Sequence, residues 1–401
     1  MSTPVPRLKV AWIPDFPLEW LPDLPLSIAN LPRMHPMTWQ RVLLEEFEKR
    51  SDLELHILVL RKNIPHSFDF ERNGVKFHVL KYPGGVRTAS LFWWDTFLIK
   101  RKLSEIKPDL LHAWGTEKGA AVVAKRLGYP YLVTIQGLMS WYKELVPLNR
   151  YEKFAAWLEK HSLPQAPLVT TESKAAIHYL ENRFPGIRLL QAEHAPNWIF
   201  HEIKREPQTA PIRFLFVGTL GYRKGADLLF HALEKLMNHL VFELVVVGSP
   251  DETISPLLAE MRSKPIWTRV NMLGNLQPSQ IAQQLSKATM LVFPTRADTS
   301  PNAVKEAVVA GVPVVASAIG GILDYVVPEQ NGILFQSGDM PGFVKALRAA
   351  AAHPLFSRGM VDGKCCKRMQ EYLSPKEMGE RFRQGYKIAT SERPSLKHPF
   401  P

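Results

Sequence analysis

Asp298 and Glu306 are separated by seven residues in "TRADTSPNAVKEAVVAGVPVV" (residues 295–315), and the chain between them has the marks of a helix start. Ser300 reads as the N-cap, Pro301 as the first helical position and Gly311 as the residue past the end, so the spacing predicts a helix over about residues 301–310. The first amides of such a helix, at Asn302 and Ala303, lack internal partners and suit a diphosphate. Glu306 falls among Ala303, Val304, Ala307 and Val308, where a carboxylate calls for a polar partner. The same residues also read as an ordinary capped helix, with Asp298 complementing its dipole and Glu306 solvated.

A second stretch, "FLFVGTLGYRKGADLLF" (residues 214–230), ends a strand at Val217, passes through Arg223 and Lys224, and opens a helix at Gly225. Two cations beside a helix start make either an anion site or a solvated turn. It is not a P-loop, because no G-K-[S/T] closes it. Gly320 and Gly321 in "ASAIGGI" allow a close main-chain approach or simply a turn. His112 ends the strand "LLHAW", and His35 and Thr38 flank a helix entry at which Thr38 also reads as a cap. In "SLFWWDTFLIKRK", Phe92, Trp93, Trp94 and Phe97 precede Lys100, Arg101 and Lys102. This is either a core face at helical spacing or a surface for anionic lipid.

These residues need elements to hold them. Short apolar strands alternate with amphipathic helices along nearly the whole chain, the pattern of parallel sheets wrapped by helices. In the first half the strands are "LKVAWI", "LELHILVL", "VKFHVL", "LLHAW" and "PYLVTIQG", with helices at "TWQRVLLEEFEKR", "WDTFLIKRKLSEI" and "TEKGAAVVAKRLG". "IKREPQTAPI" interrupts the rhythm as a linker, after which it restarts at "RFLFVGTL". The expected division is a first domain over residues 1–203, a linker over 204–211 and a second domain over 212–375. A helix over 376–391 packs back toward the first domain, and 392–401 form a tail. Ligands of open α/β sheets sit at the carboxyl ends of strands, and each motif above lies just after one.

The 401 residues, 46% hydrophobic and 22% charged, suit two globular domains. The start lacks a signal-peptide pattern, no apolar run reaches the roughly 18 residues of a membrane span, and the two cysteines, Cys365 and Cys366, are adjacent. Those features give a cytoplasmic expectation. The net charge of +12 is spread along the chain without a nucleic-acid module, which favours a phosphate-bearing substrate or a membrane surface over DNA or RNA.

In order, "VGTL", "RKG", "VVVGS", "MLGN", "VFPT", the acid-x7-Glu-Ala run, "GVPVVA", "GG" and "NGILF" resemble the retaining glycosyltransferases of family 4, which have the GT-B fold. The resemblance covers most of residues 212–340. It is looser at "PDLLHAWG", "YLVTIQG" and "APNWIF". It implies two Rossmann-like domains facing a cleft and transfer of a hexose from a nucleotide diphosphate sugar to a glycan or lipid-linked acceptor. By the same likeness Glu306 holds the ribose, Asp298 lies by the donor sugar, and Lys224 binds the diphosphate. Thr219 stands where the family carries a second cation, a role that passes to Arg223. Asn302 and Ala303, next to Ser300, contact phosphate through the backbone, and Leu273 and Gly274 line the base. Gln136 occupies the place of the family's active-site histidine, and His112, Gln136, His35 and Thr38 face the acceptor side of the cleft.

No D-x-D occurs and the histidines lack zinc spacing, so neither a metal nor another cofactor is expected. Peripheral contact with the inner face of the membrane goes with the aromatic–basic stretch. The alternatives are a non-catalytic nucleotide-sugar- or glycan-binding GT-B protein and a GT-B phosphorylase or epimerase. A dinucleotide dehydrogenase is disfavoured because G-x-G-x-x-G is absent.

Overall fold

The computed structural model describes residues 7–391 apart from 23, 26, 27, 29, 30, 33–36 and 136. His35 and Gln136 lie outside the described residues. The first sheet has eight strands: β1 (Leu8–Ile13), β2 (Leu53–Arg61), β3 (Phe68–Arg72), β4 (Val75–Lys81), β5 (Leu110–Trp114), β6 (Tyr131–Thr134), β7 (Val169–Thr171) and β8 (Leu189–Gln191). They are ordered β3-β4-β2-β1-β5-β6-β7-β8. The second sheet has six: β9 (Ile212–Val217), β10 (Phe242–Val247), β11 (Val270–Gly274), β12 (Met290–Phe293), β13 (Val314–Ser317) and β14 (Gly332–Phe335), ordered β11-β10-β9-β12-β13-β14. All pairings are parallel except that of β3 with β4.

Alternation along β1 builds two cores at once. Val10 and Trp12 enter the cluster on one face of the first sheet, Ala11 and Ile13 the cluster on the other. The helices used below are α1 (Thr38–Glu48), α2 (Trp93–Ile106), α3 (Ala120–Leu127), α4 (Met139–Leu145), α5 (Arg150–Ser162), α6 (Lys174–Arg183), α7 (Ala226–Leu236), α8 (Pro278–Lys287), α9 (Asn302–Val309) and α10 (Pro375–Ser391). The chain's last helix, α10, inserts Met378, Phe382 and Tyr386 into the first domain's core, where Trp12 Nε1 donates to Tyr386 Oη at 2.9 Å. Between the sheets, Arg205 is fixed to the second domain by carbonyls of Ser286 (3.0 Å), Ala288 (2.7 Å) and Gly359 (2.8 Å).

In each sheet the strand order reverses, between β1 and β5 in the first and between β9 and β12 in the second. Loops diverge at such a point and leave a crevice at the strand ends. The loops after β9 and β12 carry Lys224 and Asp298.

Candidate active site

The loop after β9 returns under the loop after β12. Gly225 takes φ +72°, and a Cβ there would overlap the Pro294 carbonyl, so glycine is required for the two loops to meet. Their meeting pairs Lys224 Nζ with Asp298 Oδ2, over the Phe293 ring at 5.0 Å. Burial pushes the Lys224 ammonium below the usual lysine range, with Asp298 opposing the shift and Arg223 adding to it. Arg223 donates to the Ala297 carbonyl at 3.1 Å, and its guanidinium lies 5.4 Å from the centre of the Tyr142 ring. Thr219, by contrast, is exposed and brings no charge.

The helix that follows is one residue shorter at each end than its sequence predicts. It runs Asn302–Val309, with Pro301 as a cap that offers no side-chain hydrogen bond. Ser300 therefore does not cap it. Its amide donates to Asp298 Oδ1 at 3.2 Å and its hydroxyl to Glu193 Oε1 at 2.8 Å, so it ties the donor loop to the first domain. The helix start leaves the Asn302 and Ala303 amides without intrahelical acceptors. Gly320, at φ +57°, packs its backbone on the Asp298 carbonyl, and Gly321 donates to the Thr299 carbonyl at 2.7 Å. The glycine pair is thus needed for chain-to-chain approach.

Glu306 sits farther along α9, buried, and lines a cavity of about 490 Å³ with Trp20, Thr38, Arg41, Asn197 and Gln277. Burial pushes its carboxyl up to about 7 against the opposing charge of Lys305. Thr38 begins α1, whose cap is Met37 with no side-chain bond, so Thr38 is a cavity-lining residue and not a cap. Leu273 and Gly274 end β11, where the Gly274 carbonyl accepts from Gly248 at 2.8 Å. The chain just beyond them, at Leu276 and Gln277, is what reaches the Glu306 cavity.

Two contacts from the first domain hold the donor loop. Tyr142 on α4 accepts from the Thr299 amide at 3.0 Å and shares a hydrogen bond with Thr299 Oγ1 at 2.8 Å. Burial, with Asp298 adding to it, pushes the Tyr142 phenol above its usual range, so it remains protonated. On the other side Lys305, with 0% exposure, meets Glu172 at 2.8 Å and Glu193 at 3.3 Å, from the loops after β7 and β8. Burial works against the Glu172 carboxylate, but His194 and Lys305 outweigh it and hold it below the usual range. Burial, opposed by Lys305, drives Glu193 the other way. Neither Tyr142 nor this buried cluster was among the residues that sequence reasoning singled out. The one signal was that Lys305 lies on the apolar face of a short helix.

The structure corrects the expectation for His112. It has 0% exposure, with Nδ1 bound to Tyr386 Oη at 2.8 Å and Nε2 to Thr134 Oγ1 at 2.6 Å, and its ring stacks on Trp114. One nitrogen is spent on α10 and the other on β6, which leaves neither for a ligand in the cleft. Among the described residues no cluster of His, Cys, Asp and Glu is arranged to hold a metal ion.

Comparison with known proteins decides the family. The family model described as Glycosyltransferase Family 4 matches residues 42–199, and that of Glycosyl transferases group 1 matches residues 211–353. The chain belongs to glycosyltransferase family 4. Glycogen synthase of Mycobacterium tuberculosis is 26% identical over 259 residues, 62% of this chain and 61% of that protein. Sulfoquinovosyl transferase of Arabidopsis thaliana is 30% identical over 283 residues, 63% and 52% of the two chains. The chain thus spans about three fifths or less of the length of these curated relatives. Sucrose-phosphate synthase from Thermosynechococcus elongatus superposes with a TM-score of 0.77 at 19% identity, over 96% of this chain and 100% of that one. An Anabaena protein solved with UDP and glucose gives 0.66 at 14% identity, over 95% and 100%. The fold of this family 4 protein is GT-B.

Proposed function

We propose that this protein is a retaining glycosyltransferase that moves a hexose from a nucleotide diphosphate sugar to a glycan or lipid-linked acceptor. The observation that carries the reading is the pairing of Lys224 with Asp298 at the start of α9, under the switch point of the second sheet. In this reading a diphosphate rests against the Asn302 and Ala303 amides, Lys224 and Arg223 neutralise it, and Glu306 receives the ribose hydroxyls. Cleavage leaves the C1–O electron pair on the departing diphosphate, and preorganised cations and helix amides stabilise that charge as it develops. The acceptor oxygen bonds to C1 on the same face, and its proton passes to the leaving phosphate. Asp298 stabilises the positive sugar. None of these steps calls for a metal.

The relatives support a nucleotide-sugar donor: GDP-mannose-dependent α-mannosyltransferases of Corynebacterium glutamicum and Mycolicibacterium smegmatis match over 60% and 66% of their lengths. The competing reading is a binding protein, favoured by the tie of Asp298 to the Ser300 amide within its own loop. Thermal-shift screening with UDP-, GDP- and ADP-sugars separates the readings. A shift accompanied by turnover or slow donor hydrolysis, abolished by Asp298→Asn with the shift retained, supports the transferase. A shift without any product from cell-extract acceptors supports the binding protein, and no shift from any nucleotide sugar overturns both.

A further inference from the structure

We propose that the outer face of α2 and α5 docks the protein on an anionic phospholipid bilayer. Large apolar side chains stand in solvent there: Trp93 and Phe97 are each 61% exposed and Trp157 is 47% exposed. They form one surface. The Arg126 guanidinium lies 4.2 Å from the Trp93 ring centre, and Arg126 also lines an apolar cavity of about 330 Å³ with Leu91, Phe92, Val122, Trp157 and Leu158. Large aromatic groups standing exposed together mark a contact surface, and Trp beside Arg or Lys is the composition suited to the headgroup boundary of a bilayer.

Charge selects the occupant. Trp157 and His161 join the apolar cavity to a recess of about 450 Å³ carrying Lys143, Lys153, Lys160 and Arg183. The acid in that recess, Glu144, accepts from the Tyr179 hydroxyl at 2.9 Å. Four cations beside exposed tryptophans complement phosphate headgroups above acyl chains, each cation contributing about 1 kcal/mol near an anionic surface. Lys143 belongs to α4, the helix whose Tyr142 holds Thr299. If the transferase reading holds, and the inference rests on it at this point alone, the docked face brings membrane-held acceptors to the mouth of the cleft.

The test is flotation with vesicles of phosphatidylcholine, with and without phosphatidylglycerol, at low and high salt. Binding should require phosphatidylglycerol, fall with salt, and shift the tryptophan fluorescence to the blue. Lys153→Glu with Lys160→Glu should weaken it by at least about fivefold per cation, and Trp93→Ser with Phe97→Ser should abolish it. A nucleotide-sugar thermal shift retained by the variants shows that they are folded and keeps this outcome separate from the donor reading. No flotation at low salt, or flotation indifferent to both variant pairs, overturns the proposal. So does a concentration-dependent dimer that Trp93→Ser dissolves, which would assign the face to a second copy of the chain.

Discussion

At the scale of single residues, Glu306 sets a dependence on pH. Its carboxyl titrates at about 7 because burial disfavours the charge more than neighbouring Lys305 favours it. Ribose hydroxyls donate hydrogen bonds, and an ionised carboxylate accepts them far better than a protonated one. With Glu306 in the proposed ribose position, binding favours the ionised form and releases a proton near neutrality. Nucleotide-sugar affinity should rise as the pH goes from 6 to 8, by at most about tenfold per unit below the carboxyl's pKa. Glu306→Gln should flatten that slope. Glu306→Ala should cost about 1.5–3 kcal/mol of binding, the value of a hydrogen bond to a charged group. Calorimetry across pH reads both effects, and an unchanged slope in Glu306→Gln would remove Glu306 from the ribose position. Asp298 has one methylene less than glutamate and reaches about 1.5 Å less far. The structure uses that shorter arm to meet Lys224 and the Ser300 amide.

At the scale of elements, the donor loop between β12 and α9 is held from the opposite domain, and Tyr142 is the contact that can be cut most cleanly. Tyr142→Phe keeps the packing against Val146 and Ala297 but removes the hydroxyl that receives the Thr299 amide. A loop freed in this way should lose kcat by about tenfold or more, because small misplacements of reacting groups are expensive, while nucleotide affinity, assigned to Glu306 in the proposed reading, changes little. Equal losses in kcat and in donor affinity would make Tyr142 a structural residue only. This contact also shows what was legible in advance. Strands such as "LELHILVL" and "FELVVVGS" were readable because buried parallel strands are continuous apolar runs. The Asp298–Lys224 site was readable because it follows two of them. β3, with its alternating exposed positions, and the three-residue β8 carry too little pattern to stand out. Tyr142 and Glu193 gain their meaning from Thr299 and Ser300, more than 100 positions away in the chain. His112 was misplaced for the same reason, since its partner Tyr386 arrives with the last helix.

At the scale of the whole molecule, several carboxyls are buried where the folded state prefers them protonated. Burial raises Glu306 and Glu159 to about 7 each, raises Glu117, and raises Glu193 within the interdomain cluster. A group whose folded pKa lies above its unfolded value stabilises the fold at low pH, and that contribution is lost as pH rises through the folded value. Buried histidines act in the opposite direction. Burial lowers His112, His56, His78 and His201, the last to about 4, so protonation below the ordinary histidine value favours unfolding. The carboxyls lose their contribution between the unfolded carboxylate range and folded values of about 7 to 8, whereas the histidines add stability only up to their ordinary value, so the melting temperature should decline from about pH 6.5 to about 8, an alkaline limb that levels off above it. Glu193→Gln should flatten the alkaline limb: it keeps an acceptor for the Ser300 hydroxyl while removing a buried carboxyl that must otherwise ionise beside Glu172. A melting temperature that climbs steadily from pH 6 to 9, measured by differential scanning fluorimetry in buffers of matched ionic strength, would contradict the buried protonated carboxyls. The same scan on Lys305→Met should show a general loss of about 3–5 kcal/mol, the cost of stranding a buried ionic partner, because Lys305 is the charge that binds Glu172 and Glu193 of one domain to α9 of the other.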